Sequence, residues 1–106
     1  MPAKLSPNSS PVLDEHTAAH VAELFRAFSD TSRVRILSAL TTREMNVSAL
    51  AEVAQVSESA VSHHMRSLRQ MGLVQARRNG KEVYYSIQDE HIIELFQQGV
   101  AHIKNG

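Results

Sequence analysis

Cysteine is absent from this 106-residue sequence. That absence excludes a disulfide framework, an iron–sulfur cluster, thiolate zinc and thiol redox chemistry, and it leaves only nitrogen and oxygen as metal donors. Long hydrophobic runs are also lacking, since no stretch approaches the roughly 20 apolar residues that span a bilayer. The start, Met1-Pro2-Ala3-Lys4-Leu5-Ser6-Pro7, has no apolar signal-peptide core, so a cytoplasmic address without membrane attachment is expected. Neither sign of charge is in excess: 11 Lys plus Arg balance 11 Asp plus Glu, while 42% of residues are hydrophobic. Such a chain is not a disordered polyelectrolyte, and its length sets one domain. There is no glycine-rich phosphate loop and no nucleophile–base pair, so an enzyme is not expected.

The neutral total conceals segregation. Residues 1–32 sum to −2, residues 33–81 to +5 and the last 25 to −3. A basic centre between acidic ends is what a nucleic-acid reader with separate non-binding surfaces would carry, although ordinary surfaces reach similar values.

Proline is confined to positions 2, 7 and 11, among serines, so residues 1–13 read as a mobile tail and residues 14–106 as the folded domain. Ala18, Val21, Leu24, Phe25 and Phe28 then recur at helical spacing. Asp30-Thr31-Ser32 offers caps for a second helix bearing Val34, Ile36, Leu37 and Leu40, which stops around Thr41-Thr42. A short third helix fits Val47 to Ala54. Ser57 caps a fourth running to about Met71, whose inner face holds Ala60, Val61, His64, Met65, Leu68 and Met71. Ser59, Ser62, His63, Arg66 and Arg69 are left outside, and Gly72 ends the helix.

Asn79-Gly80 between two strand-like runs predicts a hairpin with a type I′ turn. Tyr84 and Tyr85 should point to opposite faces, one buried and one exposed. A last helix is expected from about Asp89 to Lys104. The order is mainly α with a β-hairpin wing: a winged helix-turn-helix with an extra helix at each end. In that arrangement the fourth helix enters the major groove of double-stranded DNA, while Arg77, Arg78 and Lys81 at the hairpin tip reach the phosphate backbone or minor groove. The competing reading is a small α+β domain with a merely soluble basic loop.

The run Val56-Ser57-Glu58-Ser59-Ala60-Val61-Ser62-His63-His64-Met65-Arg66-Ser67-Leu68-Arg69, followed by Gly72-Leu73-Val74 and Gly80-Lys81-Glu82-Val83-Tyr84-Tyr85, resembles the ArsR/SmtB family of bacterial metal-responsive repressors over residues 20–104. The resemblance implies a homodimer, held by the terminal helices, that sits on an inverted repeat and leaves it when metal binds. It places Ser59, Ser62 and His63 near base edges, and Arg77, Arg78 and Lys81 on the wing. Ser57 and Arg66 complete the DNA-facing set. Thiolate sensors of the family carry cysteines in the stretch matching Glu44 to Leu50, where none stands here, which argues against soft-metal sensing. A second family site lies in the last helix. Three of its four positions are Asp89, His91 and His102, and the fourth, histidine or glutamate in the family, is Asn105. The residue matching His102 bonds, in the family, toward the end of the recognition helix, near Gly72 here.

Helix geometry adds an independent constraint. His91 and His102 are 11 positions apart, about 16 Å of rise but only about 20° of rotation. They share a face yet cannot bind one ion, because zinc–nitrogen bonds are about 2.0–2.1 Å. Two such helices pairing antiparallel would bring Asp89 and His91 of one chain to His102 of the other, with Gly99 permitting close approach. The expected inducer is Zn²⁺, with Co²⁺ or Ni²⁺ also suited to the donors. Asn105, water, Glu94 or the carboxylate of Gly106 would complete the sphere.

Each residue also has a plainer reading: Asp89 as a helix cap, His91 as a solvated side chain, His102 as a cation at a helix end. His16 and His20, one turn apart, form either an accessory metal site or a solvated face. His64 reads as packing. Two functional alternatives stay open: a repressor indifferent to metal, and a winged-helix module whose serine face meets a protein.

Overall fold

A computed structural model describes residues 11–106. Of the tail expected over residues 1–13, residues 1–10 lie outside the described part, and residues 11–13 are exposed. Five helices and three strands follow: α1 (Glu15–Arg26), α2 (Thr31–Leu40), β1 (Met45–Asn46), α3 (Val47–Ala54), α4 (Glu58–Gln70), β2 (Val74–Asn79), β3 (Glu82–Ile87) and α5 (Glu90–Asn105). Each helix starts behind an Asp, Asn or Ser in extended backbone: Asp14, Asp30, Asn46, Ser57 and Asp89. In all five the side-chain oxygen accepts the amide hydrogen of the third helical residue, satisfying one of the donors a helix start leaves unpaired. At the end of α2 the Thr41 and Thr42 hydroxyls donate to the Ser38 and Ala39 carbonyls, both at 2.7 Å.

The turn between α3 and α4 closes by a device that composition does not advertise. Gln55 adopts a left-handed φ of 58°, and the Val56 amide donates back to the Ala51 carbonyl at 3.2 Å. Gly72 does the same after α4 at φ 76°, with Leu73 N–H on the Leu68 carbonyl and Gly72 N–H on that of Arg69, the Schellman pattern. Glycine is the permissive residue at such a site, so Gln55 is the departure.

The strands form an antiparallel sheet ordered β1-β3-β2, in which Met45 faces Tyr85 and Asn46 faces Tyr84. The short strand β1 is absent from the sequence reading, because two residues carry no readable alternation. The hairpin turn also differs from expectation. Asn79 pairs with Glu82, so the central residues are Gly80 and Lys81, and only Gly80 has positive φ, at 67°. A glycine in the first central position is the type II′ requirement, not type I′. Tyr84 and Tyr85 are both half-buried, so neither is the exposed one expected.

The core is built by α2, α3, α4 and the sheet: Ile36, Leu37, Leu50, Val61, Met65, Leu68 and Val74 are fully enclosed. Burying a side chain of this size contributes about 1.5–3 kcal/mol. Phe96 brings α5 onto this core, with its ring 6.1 Å from that of Phe28. No residue of α1 is buried. Of its expected packing stripe, Ala18, Val21 and Phe25 are exposed, and the helix ends before Phe28. No described helix is long and apolar enough to cross a membrane.

Candidate nucleic-acid interface and metal ligands

Helix α4 presents one polar outer face. Ser59, His63, Arg66 and Arg69 are exposed on it, as their spacing requires, whereas Ser62 is half-buried rather than fully outward. The Ser57 oxygen accepts the Ala60 amide hydrogen at 3.0 Å, which leaves its hydroxyl hydrogen able to donate. Arg66 and Arg69, which have no ion pair among the described residues, beside small hydroxyl side chains are the equipment for holding phosphate while approaching base edges.

On the wing the three bases separate. Arg78 and Lys81 are exposed beside the turn, and neither has an ion pair or side-chain hydrogen bond among the described residues. Arg77 is not at the tip, as the sequence reading had it, but opposite Tyr84 further back along the strand. Its Nη2 and Nε donate to the two Glu44 carboxylate oxygens at 2.7 and 3.1 Å, and its guanidinium lies 5.2 Å from the Tyr84 ring centre. The bond from Arg77 holds the Glu44 carboxyl below the usual range, and the same bond raises the Arg77 pKa. Asn46 Nδ2 donates to the Glu82 carboxylate at 3.3 Å while its own oxygen caps α3. Arg77 and Asn46 thus tie the wing to the approach to α3. No sequence signal distinguished Arg77 from Arg78, since the difference arises from an acid 33 positions away.

The inner face of α4 holds a polar group that sequence reasoning read as packing. The half-buried His64 accepts at Nδ1 from Arg33 Nε, at 3.1 Å, while Arg33 Nη2 donates to Ser67 Oγ at 3.0 Å. His64 Nε2 lies 4.0 Å from the Asp30 carboxylate. Burial lowers the His64 pKa; Asp30 opposes this, and Arg33 and His63 add to it.

The candidate metal ligands lie at opposite ends of α5. Asp89 Oδ1 accepts the Ile92 amide hydrogen at 3.2 Å and stands 3.6 Å from His91 Nδ1. The capping role is therefore real, and the second carboxylate oxygen remains available. His91 is almost fully solvent-exposed, at 92%, and His102 and Asn105 in the last turn are exposed as well. Among the described residues of one chain, no three His, Asp or Glu side chains converge on a common point. Asp89 with His91, and His102 alone, fit as two parts of a nitrogen–oxygen donor set suited to a borderline divalent ion. His16 and His20 stack edge to face at 4.4 Å, and His20 Nδ1 donates to the His16 carbonyl. Among the described residues no third ligand joins them.

The helices that carry these groups also carry uncovered apolar surface: Val21 and Phe25 on α1, Val100 and Ile103 on α5, the last 81% exposed. Gly99 adjoins them, and a side chain built there would meet nothing within 4 Å.

Comparison with known proteins agrees with the winged fold. The model for bacterial regulatory proteins of the arsR family matches residues 30–76. A transcriptional repressor SmtB homolog from Synechocystis is 44% identical over 93 residues, covering 88% of this chain and 70% of the relative. A cadmium resistance transcriptional regulatory protein CadC homolog from Staphylococcus aureus is 39% identical over 83 residues, covering 77% and 69%. Among solved structures, the homodimeric winged helix-turn-helix DNA-binding domain of Mb0332 from Mycobacterium bovis superposes with a TM-score of 0.76 at 28% identity, covering 92% of this chain and 96% of that one.

Proposed function

This chain belongs to the arsR family of bacterial regulatory proteins, and on that premise we propose that it represses transcription as a homodimer on operator DNA and is released by Zn²⁺ or Co²⁺. It is a DNA-binding regulator and not an enzyme. The observation that carries the metal reading is the division of donors along α5: Asp89 and His91 lie together at its start, while His102 stands exposed on the same face about 16 Å further on. Two antiparallel copies of α5 would unite the halves and cover Val100 and Ile103.

Asp89, His91 and the partner's His102 would hold the ion, with Asn105 or water completing the sphere. When bound, the ion supplies a cross-link between subunits at the surface that sets the separation of the two α4 helices. Half-sites on DNA are spaced by about one helical turn, 34–36 Å, so a small change in that separation spoils simultaneous docking. The residues that grip DNA are Ser59, Ser62, His63 and Arg66, with Ser57 at the helix start and Arg78 and Lys81 on the wing. Both imidazoles must be neutral to bind, so protons compete with the metal.

The test follows release of a fluorescent duplex selected by the wild-type chain from a random-sequence pool. Zn²⁺ should weaken wild-type binding by about 5- to 150-fold, a coupling of about 1–3 kcal/mol. His102→Ala should abolish that response and leave binding without metal nearly unchanged. Equal loss of both would contradict the assignment.

A further inference from the structure

Arg33 has no part in the DNA or metal contacts assigned above, yet its side chain crosses from the start of α2 to the inner face of α4. There it engages two side chains three positions apart, which on a helix lie on one face about a turn from each other. Nε donates to His64 Nδ1 and Nη2 to Ser67 Oγ, so the planar fork spans one turn of the helix whose exposed side carries Ser59, His63 and Arg66. Arg33, His64 and Ser67 are all half-buried, and the His64 side chain is only 13% exposed. The far side of the ring faces Asp30, the cap of α2, so both ring nitrogens address the start of one helix.

We infer that Arg33 is a positioning residue for DNA recognition, fixing the rotation of α4 through His64 and Ser67, and that this hold exists only while His64 is neutral. The inference rests on the reading that α4 enters the groove. A ring nitrogen accepts a hydrogen bond only when it bears a lone pair, so the bond from Arg33 requires the tautomer with hydrogen on Nε2, the atom directed at Asp30. Protonation would place hydrogen on Nδ1 against the guanidinium, removing the acceptor and opposing two cations. The charged groups that face His64 are Asp30 and Arg33 from α2 and His63 beside it on α4; burial, Arg33 and His63 oppose protonation, and Asp30 favours it. The metal-free chain should therefore lose DNA affinity on acidification.

The experiment measures binding of the selected duplex in the presence of a chelator, from about pH 8 to about pH 5. Wild type should weaken as His64 charges. His64→Asn places an amide oxygen where Nδ1 stood and should hold neutral-pH affinity while losing that part of the acid response, with His63 unchanged in both proteins. Arg33→Lys keeps the charge without the fork, so it should bind about tenfold more weakly with an unaltered salt dependence. In the free protein, nitrogen NMR should find His64 Nδ1 unprotonated at neutral pH, and Arg33→Gln should raise the pH at which it titrates. Identical pH profiles for wild type and His64→Asn would overturn the inference, as would a lower salt slope in the charge-removing Arg33→Gln, which would make Arg33 a phosphate contact. A wild-type chain that selects no duplex would overturn the DNA reading itself, and this role with it.

Discussion

Two regions of this chain are held to different standards of closure. From α2 through the wing, apolar residues meet one another inside the chain, and Leu37, Leu50 and Leu68 are enclosed completely. In α1 and the second half of α5 the sequence has the same helical periodicity, but Phe25 is 52% exposed and Ile103 81%. Periodicity alone therefore tells which residues want cover and not where the cover comes from. The first region finds it within one chain, and the second needs another surface. Of the candidate metal donors, His102 sits in the second region while Asp89 and His91 stand at the start of α5; a site divided between two ends of a helix would be complete only when that helix meets its copy.

Substitutions in the two regions should therefore fail differently. The largest effect belongs to the enclosed region, where Leu68→Ala removes buried volume beneath α4 and should cost about 2–5 kcal/mol in denaturant unfolding, with loss of DNA binding following from loss of structure. Ile103→Asp should leave the helical circular dichroism of the chain unchanged and weaken self-association by at least tenfold in sedimentation. A dimer that persists at the same concentration would place the interface elsewhere. Gly99→Ala sharpens the contrast, because within one chain the added methyl group meets nothing. Replacing a helical glycine should then favour α5 by about 1 kcal/mol, yet the dimer should weaken if a second helix lies close.

Smaller effects separate the wing arginines. Arg78→Ala should lower the slope of log affinity against log salt by about 1, as one released phosphate contact requires. Arg77→Ala should leave that slope in place, since its charge already faces Glu44, and should loosen the wing instead, visible as faster amide exchange in β2. Smallest is a stability effect of pH. The folded-state pKa of His64 lies below the ordinary histidine value, so between the two the unfolded chain binds a proton that the folded chain does not. Stability should therefore drop as pH is lowered through that window, and His64→Asn should flatten the decline.

Most of the winged fold was legible because local signals coincided: a cap, a periodic run and a terminating glycine marked α4, and Val47–Ala54 matches its predicted bounds. What was illegible depended on distant partners. Strand β1 exists because Met45 and Asn46 meet Tyr85 and Tyr84. The turn type follows from a register that ends one residue later than Asn-Gly suggests. His64 was placed correctly toward the domain interior, but its bond from Arg33 spans 31 positions and leaves no local trace. The candidate donors on α5 rest on the family resemblance, and spacing added only that His91 and His102 share a face; the capping bond of Asp89 shows that one of its oxygens serves the helix.

The most direct measurement is complementation between two inactive chains. His91→Ala and His102→Ala homodimers should each fail to give the tetrahedral Co²⁺ absorption bands, because every site lacks one imidazole. Mixed and re-associated, they should form heterodimers in which one site is intact, and the bands should return. A mixture as silent as its parents, made from proteins that do exchange subunits while wild type binds Co²⁺, would mean that the donors do not meet across the two α5 helices.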